Sequence, residues 1–168
     1  MQYLRATVHD ADLASRLVLC AWRDAYKGFL PPSLLASLHE HPHHDRRSWE
    51  SRILDPGAAT WLISDHAGAG IGVLRIRIAR STVPDTDCEL TTLYLLAHVR
   101  GQGLGSAALT YARAAASRQG PRALGLGVLA GNQRGQKFYE QRGAYRIGDR
   151  VAFQWEGNSI VQILYRFG

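Results

Sequence analysis

The chain has 168 residues, 46% of them hydrophobic and 20% charged, the balance of a globular domain long enough to bury a core without disulfides or a structural metal. No apolar run approaches a membrane span, and the charged opening MQYLRATVHDADL lacks the apolar stretch of a signal peptide, so one cytoplasmic domain over residues 1–168 is expected, with no membrane partner. The formal charge of +6 reflects 18 Arg and two Lys against 14 acids, but the Arg are scattered and not interleaved with aromatics, which argues against nucleic acid.

Residues 2–8 alternate as a short strand, and Asp10 is placed to cap a helix over residues 11–27. Gly28 stops that helix, and Pro31 and Pro32 open a second, shorter one that runs to Leu38. Residues 45–54 form a third helical piece, closed by Asp55, Pro56 and Gly57. Between the last two, His39-Glu40-His41-Pro42-His43 spells the H-E-x-x-H of zinc peptidases. That motif needs both imidazoles on one face of an unbroken helix, which Pro42 denies, so no metal site is expected. Residues 59–64 and 71–79 read as an antiparallel hairpin. In its second strand Arg75 and Arg77 alternate with Ile76 and Ile78, which predicts one solvated face. Cys20 and Cys88 are spaced for neither a redox pair nor a zinc site and are expected in the core.

Residues 90–96 are aliphatic, aromatic or β-branched, the composition of a central strand. Arg100, Gly101, Gln102, Gly103, Leu104 and Gly105 then set three alternating glycines before a helical pattern over residues 104–117. A helix start carries unpaired backbone N–H groups and a partial positive charge, and glycine lets an anion approach them closely, so strand, glycine loop and helix read as a phosphate site. A P-loop is excluded because Gly-Lys followed by Ser or Thr is absent. A dinucleotide fingerprint is excluded because Ser106 replaces its third small residue and no acid stands about twenty positions on. Arg-x-x-Gly-x-Gly remains, and a polyphosphate ligand would account for part of the net charge.

Further on, residues 131–148, GNQRGQKFYEQRGAYRIG, place Asn132 at a helix start and Tyr139 seven positions later, with Phe138 before it and a return to strand after Gly143. The order of Arg100, Gly103 and Gly105 followed by Asn132 and Tyr139 resembles the two signatures of the GNAT superfamily of N-acetyltransferases. Residues 123–129 supply the intervening strand, and residues 145–155 and 159–167 a terminal hairpin. The element order therefore predicts an α/β (α+β) fold with a mixed, mostly antiparallel central sheet flanked by helices. The resemblance adds a splay between the fourth and fifth strands.

It also implies acetyl-coenzyme A as co-substrate. Leu93, Tyr94 and Leu95 would offer backbone groups to its pantetheine arm, residues Arg100, Gly101, Gln102, Gly103, Leu104, Gly105 and Ser106 would hold its pyrophosphate, and Asn132 would lie beside it. Tyr139 would protonate the departing thiolate. Glu89, on the central strand, matches a carboxylate that serves some members as general base, although it can equally pair with a nearby Arg. Trp22, Tyr26 and Phe29, with Trp49 and Trp61 later, are candidates for an acceptor pocket or for core. The segment AWRDAYKGFLPPSLLASL is similar to members that acetylate small amines such as polyamines. The expected reaction is direct attack of an amine on the thioester in a ternary complex. A non-catalytic coenzyme A-binding regulatory domain, or an enzyme acting on protein N-termini or lysines, is the alternative. A homodimer through the terminal strands is a further expectation from the family.

Overall fold

In the computed structural model, residues 1–38, 45–78, 80–119 and 122–168 are described. The HEHPHH run lies outside them, as do Gly120 and Pro121, expected to break the chain after the glycine-loop helix. Seven strands form one sheet in the order β1-β2-β3-β4-β5-β7-β6: β1 Gln2–Arg5, β2 Ala58–Ser64, β3 Gly70–Arg77, β4 Cys88–Leu95, β5 Leu124–Leu129, β6 Tyr145–Trp155 and β7 Asn158–Phe167. Every neighbouring pair is antiparallel except β4 with β5. The mixed, mostly antiparallel sheet is thus as expected. The helices are α1 Ala11–Tyr26, α2 Pro32–Ser37, α3 Arg46–Leu54, α4 Leu104–Ala116 and α5 Gln133–Glu140.

Helix boundaries follow local chemistry. Asp45 accepts the Ser48 N–H at 2.7 Å and starts α3, and Asn132 accepts the Gly135 N–H at 2.9 Å and starts α5, each satisfying one orphan donor of a first turn. Asp10 stands just before α1, but its carboxylate turns back to the Thr7 N–H and hydroxyl, both at 2.8 Å. It closes the preceding 3-10 turn and leaves α1 without a side-chain cap. The Ala-rich α4 has high helix propensity, and its small side chains Ala108, Ala112, Ala115 and Ala116 bring it close against Ile63, Leu74, Ile76 and Leu90. On the opposite face α1 and α3 bury Leu17, Val18 and Trp49 against Leu62 and Val73. Helix α2 packs Leu34, and Leu38 just past its end, near Leu129.

Coverage of both faces corrects the reading of β3 as half-solvated. Arg75 is only 4% exposed, and its guanidinium bonds Asp55 at 2.8 Å, Thr91 Oγ1 at 3.1 Å and the Arg52 carbonyl. A buried guanidinium is tolerable when most of its donors are used. Burial lowers the Arg75 pKa and Asp55 opposes that shift. Two further expectations change: Cys20 is exposed, whereas Cys88 is buried as foreseen, and Trp49 and Trp61 are core residues at 0% and 6% exposure, not pocket walls.

The β4–β5 junction positions everything that follows. Only three residue pairs join these strands, Cys88 with Leu124, Glu89 with Gly125 and Leu90 with Leu126. At that point β4 carries a bulge: Ile76 faces Leu90 and Arg75 faces Thr92, leaving Thr91 without a partner on β3. An extra residue bends its strand and reverses the alternation of side chains. Leu90 and, past the bulge, Leu95 both join the α4-side core, while Tyr94 is sent to the α1 side. Beyond Leu90 the two strands part, the splay expected between the fourth and fifth strands.

The Arg75–Asp55 pair makes a stability prediction. Asp55→Ala strands a buried guanidinium and should cost about 3 kcal/mol, the low end for a broken buried pair because Asp55 itself is partly exposed. Urea unfolding measures this, and adding Arg75→Leu should recover most of the loss.

Candidate active site

Two cavities flank the splay and share Tyr94. The larger, about 540 Å³, lies between the ends of β4 and α1 and the starts of α4 and α5. Leu93, Tyr94, Leu95, Arg100, Gly101, Gly103, Gly105, Ser106, Asn132 and Tyr139 all line it, so most of the expected cofactor residues converge. Gln102 and Leu104 do not line it. The Gln102 amide bonds the His98 carbonyl, and Leu104 packs against the core.

The loop's geometry explains its glycines. Gly101 and Gly103 have φ of 81° and 79°, a left-handed conformation costly for any residue with a Cβ. A Cβ at Gly103 would have no heavy atom within 4 Å, so the requirement there is backbone conformation and not protein crowding. Gly105 differs, since a Cβ would press on the Phe138 ring at 3.3 Å. No side chain caps α4, whose first intrahelical acceptor is the Gly103 carbonyl, taken by Ala107 at 3.1 Å. The amides just after Gly103 therefore lack intrahelical acceptors, and Gly105 and Ser106 among those residues line the cleft.

Arg100 is a brace. Its Nε–H donates to the Leu95 carbonyl at 2.9 Å and an Nη2–H to the Ala21 carbonyl at 3.3 Å, tying the glycine loop to β4 and α1. Burial lowers its pKa, and Asp24 opposes the shift. Positive charge in the cleft also comes from Arg134 and Arg142, which the motif reading passed over. Arg142 donates to Ser106 Oγ from two nitrogens, at 3.0 and 2.7 Å, and to the Phe138 carbonyl at 2.8 Å. Its guanidinium lies 4.0 Å over the Phe138 ring, locking α5 to the start of α4. The four-residue spacing from Phe138, across the end of α5, was the available signal.

Tyr139 and Phe138 both line the cleft, their rings edge-to-face at 5.0 Å, so Phe138 is not purely core. Burial raises the Tyr139 pKa far above the usual phenol range, with a smaller push from Tyr94. Among the described residues none accepts a hydrogen bond from its hydroxyl.

The smaller cavity, about 220 Å³, lies on the α1 side, lined by Trp22, Tyr26, Leu34, Leu38, Arg52, Thr91, Thr92, Tyr94, Phe153 and Gln162 among others. Trp22 and Tyr26 are thus wall residues. Phe29 is not; it packs edge-to-face on Tyr26 at 5.3 Å and covers Gly131 so closely that a Cβ there would enter its ring. The Tyr26 and Tyr94 hydroxyls are 2.6 Å apart. Burial raises both pKa values, and for Tyr26 the neighbouring Tyr94 adds to the rise. Arg52, Thr91, Thr92 and Gln162 come from three separate elements with no shared motif, which is why no sequence pattern assembled them.

Glu89 lines neither cavity. Its carboxylate accepts from the Thr82 N–H and hydroxyl, both at 2.9 Å, and from Arg77 at 3.1 Å, with Arg150 at 3.6 Å. It sits beneath residues 81–87 as the anchor of that loop. Among the described residues no group of three or more His, Cys, Asp or Glu is arranged to hold a metal, and no helix is long and apolar enough to cross a membrane.

A profile of the acetyltransferase (GNAT) family matches residues 19–144, and the chain belongs to that family. It is an acyl-coenzyme A-dependent N-acyltransferase by class. Among solved structures, PaiA N-acetyltransferase from Thermoplasma acidophilum, itself in complex with coenzyme A, is 15% identical with a TM-score of 0.75 over 99% of this chain and 97% of that one. An acetyltransferase from Thermus thermophilus is 22% identical, TM-score 0.67, over 99% and 96%. Ribosomal-protein-alanine N-acetyltransferase from Brucella melitensis is 20% identical, TM-score 0.66, over 99% and 98%. No curated protein matches the chain by sequence.

The buried phenols make a spectroscopic prediction. An ordinary tyrosine ionises near pH 10, and Tyr139 should do so well above it. Tyr139→Phe should therefore remove ultraviolet phenolate absorbance only from the part of an alkaline titration beyond pH 10, leaving the earlier part unchanged.

Proposed function

We propose that the protein transfers an acetyl group from acetyl-coenzyme A to the amine of a small molecule or peptide by direct attack in a ternary complex. The observation that carries this reading is the opened β4 edge past Leu90 running into the uncapped start of α4, with Tyr139 facing the same cleft. The pyrophosphate would rest on the loop amides, with Arg134 and Arg142 adding positive charge. The pantetheine arm would pair with the unaccompanied edge of β4 at Leu93, Tyr94 and Leu95, as an added strand does. A backbone N–H there would polarise the thioester carbonyl.

The acceptor would approach from the smaller cavity past Tyr94. Its neutral nitrogen forms the new C–N bond while the C–S bond breaks. The thiolate takes the Tyr139 proton, and the phenol is reprotonated by the proton the nitrogen sheds. A raised pKa keeps Tyr139 protonated throughout the working range, the state an acid needs. Neither cysteine lines the cleft, so the route needs no covalent enzyme intermediate. Glu89 is already committed to Thr82, Arg77 and Arg150, and reaches the acceptor only through a relay; we assign it to holding residues 81–87.

Replacing the two candidates separates their roles. Tyr139→Phe should lower kcat by about 10- to 1000-fold with coenzyme A affinity nearly kept, and a kcat within twofold of the parent would mean that thiolate departs unaided. Glu89→Gln should lower the melting temperature and leave the shape of the pH–rate profile intact; an acid-side loss confined to that variant would instead make Glu89 the base.

Gly103→Val tests the loop. Strain at positive φ should displace the amides and weaken coenzyme A binding at least about tenfold in calorimetry, while circular dichroism shows a folded protein.

A further inference from the structure

The strand walls of the smaller cavity stand on either side of the splay: Thr91, Thr92 and Tyr94 belong to β4, and Gln162 reaches it from β7 beside Gly127 of β5. Gln162 is fixed in direction. It pairs with Arg150 on the antiparallel β6, and side chains at such opposed positions share a face of the sheet. With its amide oxygen turned to that guanidinium, Gln162 accepts from Arg150 Nη2 at 2.8 Å and from Nε at 2.5 Å, whereas the reverse orientation would set N–H against N–H. Arg150 is itself anchored. Its Nη1 donates to the Thr82 carbonyl at 2.7 Å and to the Thr82 hydroxyl at 3.0 Å, and Glu89 lies 3.6 Å from Nη2. The Gln162 side chain lies across Gly127, where a Cβ would strike its amide. Gly127 is also the one exposed residue of an otherwise buried strand, so the missing side chain is what lets the amide lie there.

We propose that Gln162 selects the acceptor, its amide N–H groups binding a carbonyl oxygen carried by the substrate amine, so that the acceptor is an amino-acid amide or a peptide N-terminus and not a polyamine. This rests on the acetyltransferase reading above. An amide whose oxygen is spent on Arg150 has only donors left to offer. A carbonyl oxygen satisfies them. A polyamine would instead set its own N–H groups against them, which is discrimination by mismatch. Gln162 only binds: the C–N bond forms, the C–S bond breaks and the proton reaches the thiolate by the route already given, while the amide keeps both its hydrogens. Glu89 thereby acts on the acceptor cavity at one remove, through the guanidinium that aims Gln162.

Matched acceptors test the assignment. Thiol release from acetyl-coenzyme A is measured with L-leucinamide, L-leucylglycinamide, isopentylamine and spermidine, on the parent protein and on Gln162→Met and Gln162→Glu, with coenzyme A affinity followed by calorimetry. Isopentylamine keeps the leucine side chain and lacks the carbonyl. Each acceptor is compared between parent and variant, which cancels the differing basicities of the amines. Gln162→Met should lower kcat/KM for both carbonyl amines by about 5- to 10-fold, the worth of one neutral hydrogen bond, chiefly through KM, and leave isopentylamine within about twofold. Gln162→Glu keeps a partner for Arg150 but presents oxygen in place of N–H, so it should lower the carbonyl amines at least as much and raise spermidine. The better of L-leucinamide and L-leucylglycinamide identifies a free amide or a peptide as the source of the carbonyl. Equal changes for all four acceptors in both variants, or turnover of neither carbonyl amine, overturns the proposal while leaving acetyl transfer standing. Failure of the parent protein to bind coenzyme A overturns both.

Discussion

The site depends on the single extra residue in β4. Thr91 has no partner on β3, and its hydroxyl accepts an Arg75 N–H and donates toward the Arg75 carbonyl, so the irregularity is itself hydrogen-bonded and not a defect. Without it, the side chains of Leu90 and Tyr94 would share a face. With it, Tyr94 turns to the α1 side, the strands part after three residue pairs, and a wedge opens in a sheet that is otherwise closed on both faces. Both cavities flank that wedge and share Tyr94.

A consequence is that the larger cavity is lined by backbone as much as by side chains. The open edge of β4 and the first amides of α4 are positioned by elements that are themselves rigidly packed. Arg100 ties the loop to β4 and α1, and Arg142 ties α5 to the same helix start. These two arginines spend their donors on protein oxygens. Their contribution is to hold groups still, so that little conformational entropy remains to be lost when a long flexible cofactor binds.

Arginine also organises the α1 side of the sheet. Arg75, buried in the sheet, links Asp55, Thr91 and the Arg52 carbonyl, so the bulge, the end of α3 and the wall of the smaller cavity form one connected unit. Glu89 closes a second such unit around Thr82, Arg77 and Arg150. Charged residues that look like surface decoration in a strand pattern are here internal struts, because helices cover both faces of the sheet.

By itself the sequence determined the local features. The Arg100-to-Gly105 loop, the Asn132 cap and the apolar run of β4 are set by nearest-neighbour chemistry: positive φ wants glycine, an orphan N–H wants a short side-chain oxygen, and a buried strand wants β-branched and aliphatic residues. Helix and strand order follow from the same rules, and with them the family. Only the tertiary structure decided which face each residue of β4 takes, since a one-residue bulge inverts an alternation that the sequence leaves unchanged. It likewise decided that Arg75 is buried, that Trp49 and Trp61 are core while Trp22 and Tyr26 are walls, and that Arg52, Thr91 and Gln162 share one cavity. Those outcomes depend on which elements pack together across the sheet, and that packing joins residues too far apart in the chain for any local pattern to connect.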